Sequence, residues 1–167
     1  MKVTKAQSKN WSVAAMQPPT LRDQQWNMIS LLGIVLIAMA VSQLVSFNDF
    51  KAWLADAGFS GPSGWAVGII IAEVWAAAGF FKIRLSYLFR VVSAGLALVV
   101  SGFWFVLNLQ LISNGTAEAL SNSGFFGRFL PQAPGWWTVL EAGILLFWTL
   151  YALGLFKASL MSPSYKR

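Results

Sequence analysis

Four side chains here could do chemistry from within an apolar setting: Glu73, Glu141, Gln43 and Asn108. A carboxyl can carry a proton or accept several hydrogen bonds, and a primary amide both donates and accepts. Together they make a candidate hydrogen-bonding or proton-handling set. The excluded chemistry is wider. The chain contains no Cys and no His, which removes thiol relay, disulfides, thiolate or imidazole metal sites, and an imidazole general base. No catalytic residue, metal site or resident cofactor is expected.

Positioning these groups falls to long apolar helices. Of 167 residues, 57% are hydrophobic and only 11% are charged, whereas a soluble domain carries about a quarter charged residues. Mean hydropathy is +0.61. Charge is absent or nearly so over about 26–47, 65–81, 91–112 and 136–156. A helix needs roughly 17 to 25 apolar residues to cross about 30 Å of hydrocarbon, and these runs do not alternate as strands would. The expected fold is all-α: a polytopic membrane protein with four spans in residues 26–157, a basic tail over 1–25 and a second tail over 158–167.

Basic residues set the expected orientation. Lys2, Lys5, Lys9 and Arg22 precede the first span, Lys82, Arg84 and Arg90 lie between the second and third, and Lys157, Lys166 and Arg167 follow the fourth. Only Lys51 and Arg128 fall on the other side. By the positive-inside rule both termini face the cytoplasm. The net charge of +6 then points to anionic lipid headgroups rather than nucleic acid.

Glu73 lies about eight residues beyond the boundary at Trp65, roughly 12 Å deep by helical rise. No cation stands at that depth, so the carboxyl is expected to face the bundle interior, held by hydrogen bonds rather than an ion pair. Gln43, Asn108 and Glu141 fall about one turn nearer the outer boundary, so polar groups from all four spans converge in the outer half. Helical spacing aligns Leu36, Met39, Gln43 and Phe47 on the first span and Ala94, Ala97, Ser101, Trp104 and Asn108 on the third. It aligns Gly68, Ala72, Ala76 and Gly79 on the second, with Glu73 at the edge, and Glu141, Leu145, Trp148 and Ala152 on the fourth. Trp104 and Trp148 could wall a pocket for a flat ligand such as a quinone ring.

The outer connections carry structure of their own. From Asn48 to about Ala57, Phe47, Phe50, Trp53, Leu54 and Ala57 share one helical face and Asp49, Lys51 and Asp56 another, the pattern of an amphipathic interfacial segment stopped by Gly58. The stretch after Ser113 turns aromatic, with Phe125, Phe126, Phe129, Leu130, Trp136 and Trp137. Such a cluster reads as an aromatic belt dipping into lipid, or as a docking surface for a partner protein.

The order of features is similar to the DoxX/MauE group of small four-helix bacterial membrane proteins. The likeness runs through Gln43-Leu44, Phe47-Asn48-Asp49-Phe50, Ile69-Ile70-Ile71-Ala72-Glu73, Phe81-Lys82-Ile83-Arg84 and the Ala/Gly-rich span beginning near Arg90, over roughly 33–98. The resemblance implies a bundle of the bacterial cytoplasmic (inner) membrane associated with redox systems. Its helix-two glutamate corresponds to Glu73 and its following basic residue to Arg84, while Gln43 replaces a basic residue common in the family. The expected role is an accessory or scaffold subunit with membrane protein partners. The alternatives are a quinone- or small-molecule-reactive subunit using Glu73 as proton carrier, or a proton-coupled transporter. A bound quinone or lipid belongs to the second.

Overall fold

A computed structural model describes residues 19, 21–116, 120, 124–127, 129 and 132–161, the side chains of residues 87 and 158–161 excepted. Five helices follow one another: α1 (Asp23–Val45), α2 (Phe47–Asp56), α3 (Pro62–Ala78), α4 (Tyr87–Ser113) and α5 (Trp136–Met161). Among the described residues there is no strand. Three helices are long and apolar enough to cross a membrane: Asp23–Val45, Leu88–Ser113 and Trp136–Lys157. The apolar run expected over 65–81 forms the shorter α3, 17 residues long, or about 25 Å by helical rise.

The helix ends follow local chemistry. Pro62 occupies the first turn of α3, where its missing N–H costs nothing. The Ser86 hydroxyl accepts the Phe89 N–H at the start of α4 (3.2 Å). Helix α1 starts three residues earlier than the sequence suggests, because the Arg22 N–H finds Gln25 Oε1 at 3.0 Å. Ser46 separates α1 from α2, its hydroxyl turned back onto the Ser42 carbonyl at 2.7 Å. Asn48, the expected start of the amphipathic segment, therefore lies inside α2 and is exposed.

Helix α1 packs chiefly on α3, α3 on α4 and α4 on α5, and α5 touches α1 again. Close approach between backbones depends on small residues. A methyl group on Gly33 would lie 3.2 Å from the Ala77 carbonyl oxygen, and one on Gly79 would collide with the Ser93 side chain. The core between the helices contains Ile29, Leu32, Leu36, Ala76, Ala97, Trp104 and Ala142. Facing away from it are large apolar side chains such as Ile34, Ile71, Val99 and Phe147. This apolar exterior suits a hydrocarbon solvent and would be an aggregation surface in water.

Charge is segregated by end. Arg22, Asp23, Lys82, Arg84, Arg90 and Lys157 lie where α1 and α4 begin and α3 and α5 finish. Asp49, Lys51, Asp56 and Glu141 lie toward the opposite end. We call these the basic end and the loop end. Lys2, Lys5, Lys9, Arg128, Leu130, Lys166 and Arg167 lie outside the described residues.

Helix α2 departs from its expected setting. Phe50, Trp53 and Leu54 do share a face, but they are buried against the protein rather than spread along an interface. The kink at Ser46 folds α2 across the loop end of the bundle. There Trp53 meets Trp104 with ring centroids 5.8 Å apart, and Phe50 meets Trp104 at 6.3 Å.

Candidate functional site

Glu73 is fully buried. The buried face of α3 runs through Ala66, Ile69, Ile70, Glu73, Ala76 and Ala77, so the carboxyl sits at the centre of that face. Of the expected stripe Gly68, Ala72, Ala76 and Gly79, the last two are buried and the first two are not. Gly68 is exposed and Ala72 half-buried, and both line a groove on the lipid side with Trp65 and Phe103. The buried face of α3 thus mixes small and large side chains, Ala66, Ala76 and Ala77 beside Ile69 and Ile70.

Two donors reach Glu73 Oε1. The Trp104 indole Nε1 donates at 3.0 Å and the Gln43 amide Nε2 at 3.3 Å. Side chains on a helix lean toward its N-terminus. Gln43 and Trp104, on helices running toward the loop end, therefore lean down. Glu73, on the antiparallel α3, leans up, and the groups meet although their Cα atoms differ in level. Gln43 Nε2 also donates to the Phe125 carbonyl at 3.1 Å. Asn108 joins one turn further along α4, its Nδ2 donating to the Trp104 carbonyl at 2.9 Å. Gln43, Glu73, Trp104 and Asn108 are each fully buried.

The cluster is short of donors. Gln43 Oε1, Glu73 Oε2 and Asn108 Oδ1 are buried with no hydrogen-bond partner. It is also closed. Phe125 stacks on Trp104 with centroids 4.8 Å apart, and Phe50 and Trp53 complete a roof of rings. Gly127 holds this roof close to the α1–α2 corner. Its φ of +51° suits glycine, and a Cβ there would run into the Ser46 hydroxyl.

Glu141 does not belong to this cluster. The buried face of α5 runs through Thr138, Ala142, Leu145, Thr149 and Ala152, which leaves Glu141 off its edge and exposed. It lines a separate groove of about 260 Å³ with Val35, Met39, Phe125, Phe126 and Trp148. The two indoles expected to wall one pocket take different roles. Trp104 is sealed beside Glu73, whereas Trp148 borders this groove with its Nε1 buried and unpartnered.

The aromatic segment divides as well. Phe125 is buried and Phe126 half-buried, so neither is free for docking as the sequence suggests, while Phe129, Trp136 and Trp137 are strongly exposed. Phe125 is drawn in because its carbonyl and its ring both find partners at the Glu73 cluster.

Sequence reasoning missed Arg90. It reads as a loop cation, yet it lies inside α4 and is only 4% exposed. Its Nη1 donates to the carbonyls of Gly79 (2.7 Å) and Phe81 (3.4 Å) and its Nη2 to that of Ile83. A signal was present: Arg90 extends the stripe of Ala94, Ala97, Ser101, Trp104 and Asn108 backward by four residues. Among the described residues no group of three or more His, Cys, Asp or Glu could hold a metal ion. No family model matches this chain, and neither a curated protein nor a solved structure matches it.

Proposed function

We propose that this chain is a non-catalytic accessory or scaffold subunit of a redox-related bacterial membrane complex. In this reading it crosses the cytoplasmic membrane four times, with both termini and the basic end in the cytoplasm, and is akin to the DoxX/MauE group. Large apolar side chains exposed along α3, Trp65, Val67, Ile71, Val74 and Trp75, support its role as the fourth span despite its length. The five cations at the basic end support the orientation.

The observation that carries the non-catalytic reading is the closure of Glu73. A carboxyl that must deliver protons needs a route to substrate or water. Here it is fully buried, bonded to two fully buried side chains and roofed by aromatic rings. Such a group acts as a joint, tying α1, α3, α4 and the Phe125 segment into one unit. The unit then presents the exposed Phe129, Trp136 and Trp137 at its rim to a partner subunit.

Extraction from native membranes in mild detergent tests this. The chain is expected to migrate in an assembly well above its own 18.3 kDa. Substituting both Trp136 and Trp137 by Ala should release it, while Phe147→Ala on the lipid side should not. A monodisperse, partner-free protein overturns the reading.

One observation favours the quinone- or small-molecule-reactive alternative: the groove where the unpartnered Trp148 indole borders Glu141. There Glu141, rather than the closed Glu73, would serve the ligand. Loss of quinone-dependent electron transfer in Glu141→Gln membranes, with the assembly intact, would favour it. Proton-coupled transport draws no support from a carboxyl that is fully buried.

A further inference from the structure

Among the described residues no carboxylate pairs with the buried Arg90. Each of its hydrogen-bond partners is a neutral backbone carbonyl, and its guanidinium lies 5.6 Å above the Trp26 ring. Among the described residues the ion pair is Lys82 with Asp23, elsewhere at the basic end. The carbonyls closing α3 offset part of the charge through the helix dipole. They leave Arg90 Nε buried and without a partner. A buried cation with no counter-anion is costly, and an unused N–H beside it adds to that cost.

Beside it, between α4 and α5, lies a cavity of about 180 Å³ bordered by Arg90 and Lys157. The other walls include Val91, Ala94, Leu153 and Phe156. The exposed Lys157 near the end of α5 and the buried Arg90 near the start of α4, continued by an apolar wall along the bundle, match the outline of a phospholipid. The phosphate would meet Lys157 within the field of Arg90, and an acyl chain would lie along the aliphatic wall. A free phosphate ion would use the charges but leave that wall without purpose.

The geometry points to this cavity as a binding site for the phosphate headgroup of an anionic phospholipid. Basic pockets between membrane helices on the cytoplasmic side recognise such headgroups by the same chemistry. The site rests on the membrane reading above but not on any partner subunit.

The test uses the full-length protein in a neutral detergent, titrated with dioleoylphosphatidylglycerol, dioleoylphosphatidylcholine or inorganic phosphate. Binding is followed by thermal unfolding and by native mass spectrometry. Phosphatidylglycerol is expected to bind and raise the melting temperature, and the other two to do neither. Lys157→Ala should weaken that binding about fivefold, one cation's share of the attraction to an anionic headgroup. Val91→Trp, which fills the cavity from its exposed edge, should abolish it. Lys51→Ala at the loop end should bind as the native chain does. Equal effects of the two lipids, equal stabilisation by inorganic phosphate, or unchanged binding in both cavity variants would each overturn the proposal. Partition of the same preparation into the membrane fraction separates failure of this site from failure of the membrane reading.

Discussion

Replacing Glu73 separates a structural joint from a proton carrier. In Glu73→Ala the Trp104 indole loses its acceptor while fully buried, which costs about 1–3 kcal/mol. The lost Gln43 contact adds only about 0.6 kcal/mol, typical between membrane helices, because that amide keeps the Phe125 carbonyl. The vacated volume adds about 1 kcal/mol. Together these come to about 3–5 kcal/mol, a fall in melting temperature on the order of 10 °C. Glu73→Gln should behave oppositely. It retains an oxygen for Trp104 and brings two N–H donors to a cluster where Gln43 Oε1 and Asn108 Oδ1 have none. Its melting temperature should equal or exceed the native one. Detergent-solubilised protein followed by tryptophan fluorescence and size exclusion gives both values. An alanine variant as stable as the native chain refutes the joint. A stable, assembled glutamine variant whose complex has lost turnover refutes the non-catalytic role.

Other consequences can be checked directly. Because the chain has no Cys, single substitutions report topology. Asp56→Cys should react with an impermeant maleimide in intact cells and Arg84→Cys only after permeabilisation, and the reverse pattern would invert the orientation. Gly127→Val must accept a left-handed backbone, costing about 1–2 kcal/mol, and also strikes Ser46. It should speed proteolysis around Phe125, and unchanged cleavage would count against the roof. Trp148→Phe removes a buried N–H with no partner and should leave the melting temperature unchanged or raise it, by up to about 1 kcal/mol in stability. A marked fall would mean that this indole is bonded in the membrane.

The long helices were legible because missing charge is a signal that burial cannot disguise: α1, α4 and α5 cover runs with no charge or, for α5, the single Glu141, with ends shifted by a few residues. Depth arithmetic brought Gln43 toward Glu73, since helical rise is fixed and the helices antiparallel, whereas Asn108 bonds within its own helix, one turn beyond Trp104. Rotation was less legible. Small residues suggested a face for α3 through Gly68, Ala72, Ala76 and Gly79; Ala76 and Gly79 are buried, but toward the loop end Ile69 and Ile70 pack inward in place of Gly68 and Ala72. For Glu141 a four-residue spacing held it in line with Leu145, although the buried face of α5 starts at Thr138 and passes beside it. The roof of Phe50, Trp53 and Phe125 was beyond reach. Periodicity shows which side of α2 is apolar, but not whether lipid or protein covers it. Arg90 was misread for a related reason: charge counting assigns every cation to water, and backbone carbonyls at a helix end hold this one inside.

The hydrogen bond from Gln43 to the Phe125 carbonyl has one more consequence. It fastens the connection between the last two long helices to the first, across 82 positions of sequence. Local fraying of that connection is thereby tied to the opening of the whole assembly. Amide protons around Phe125 should exchange with deuterium at the slow, global rate, unlike those of ordinary surface linkers. During synthesis the linker can lock only after the first helix has waited for the rest, so its resistance to protease marks the completed molecule.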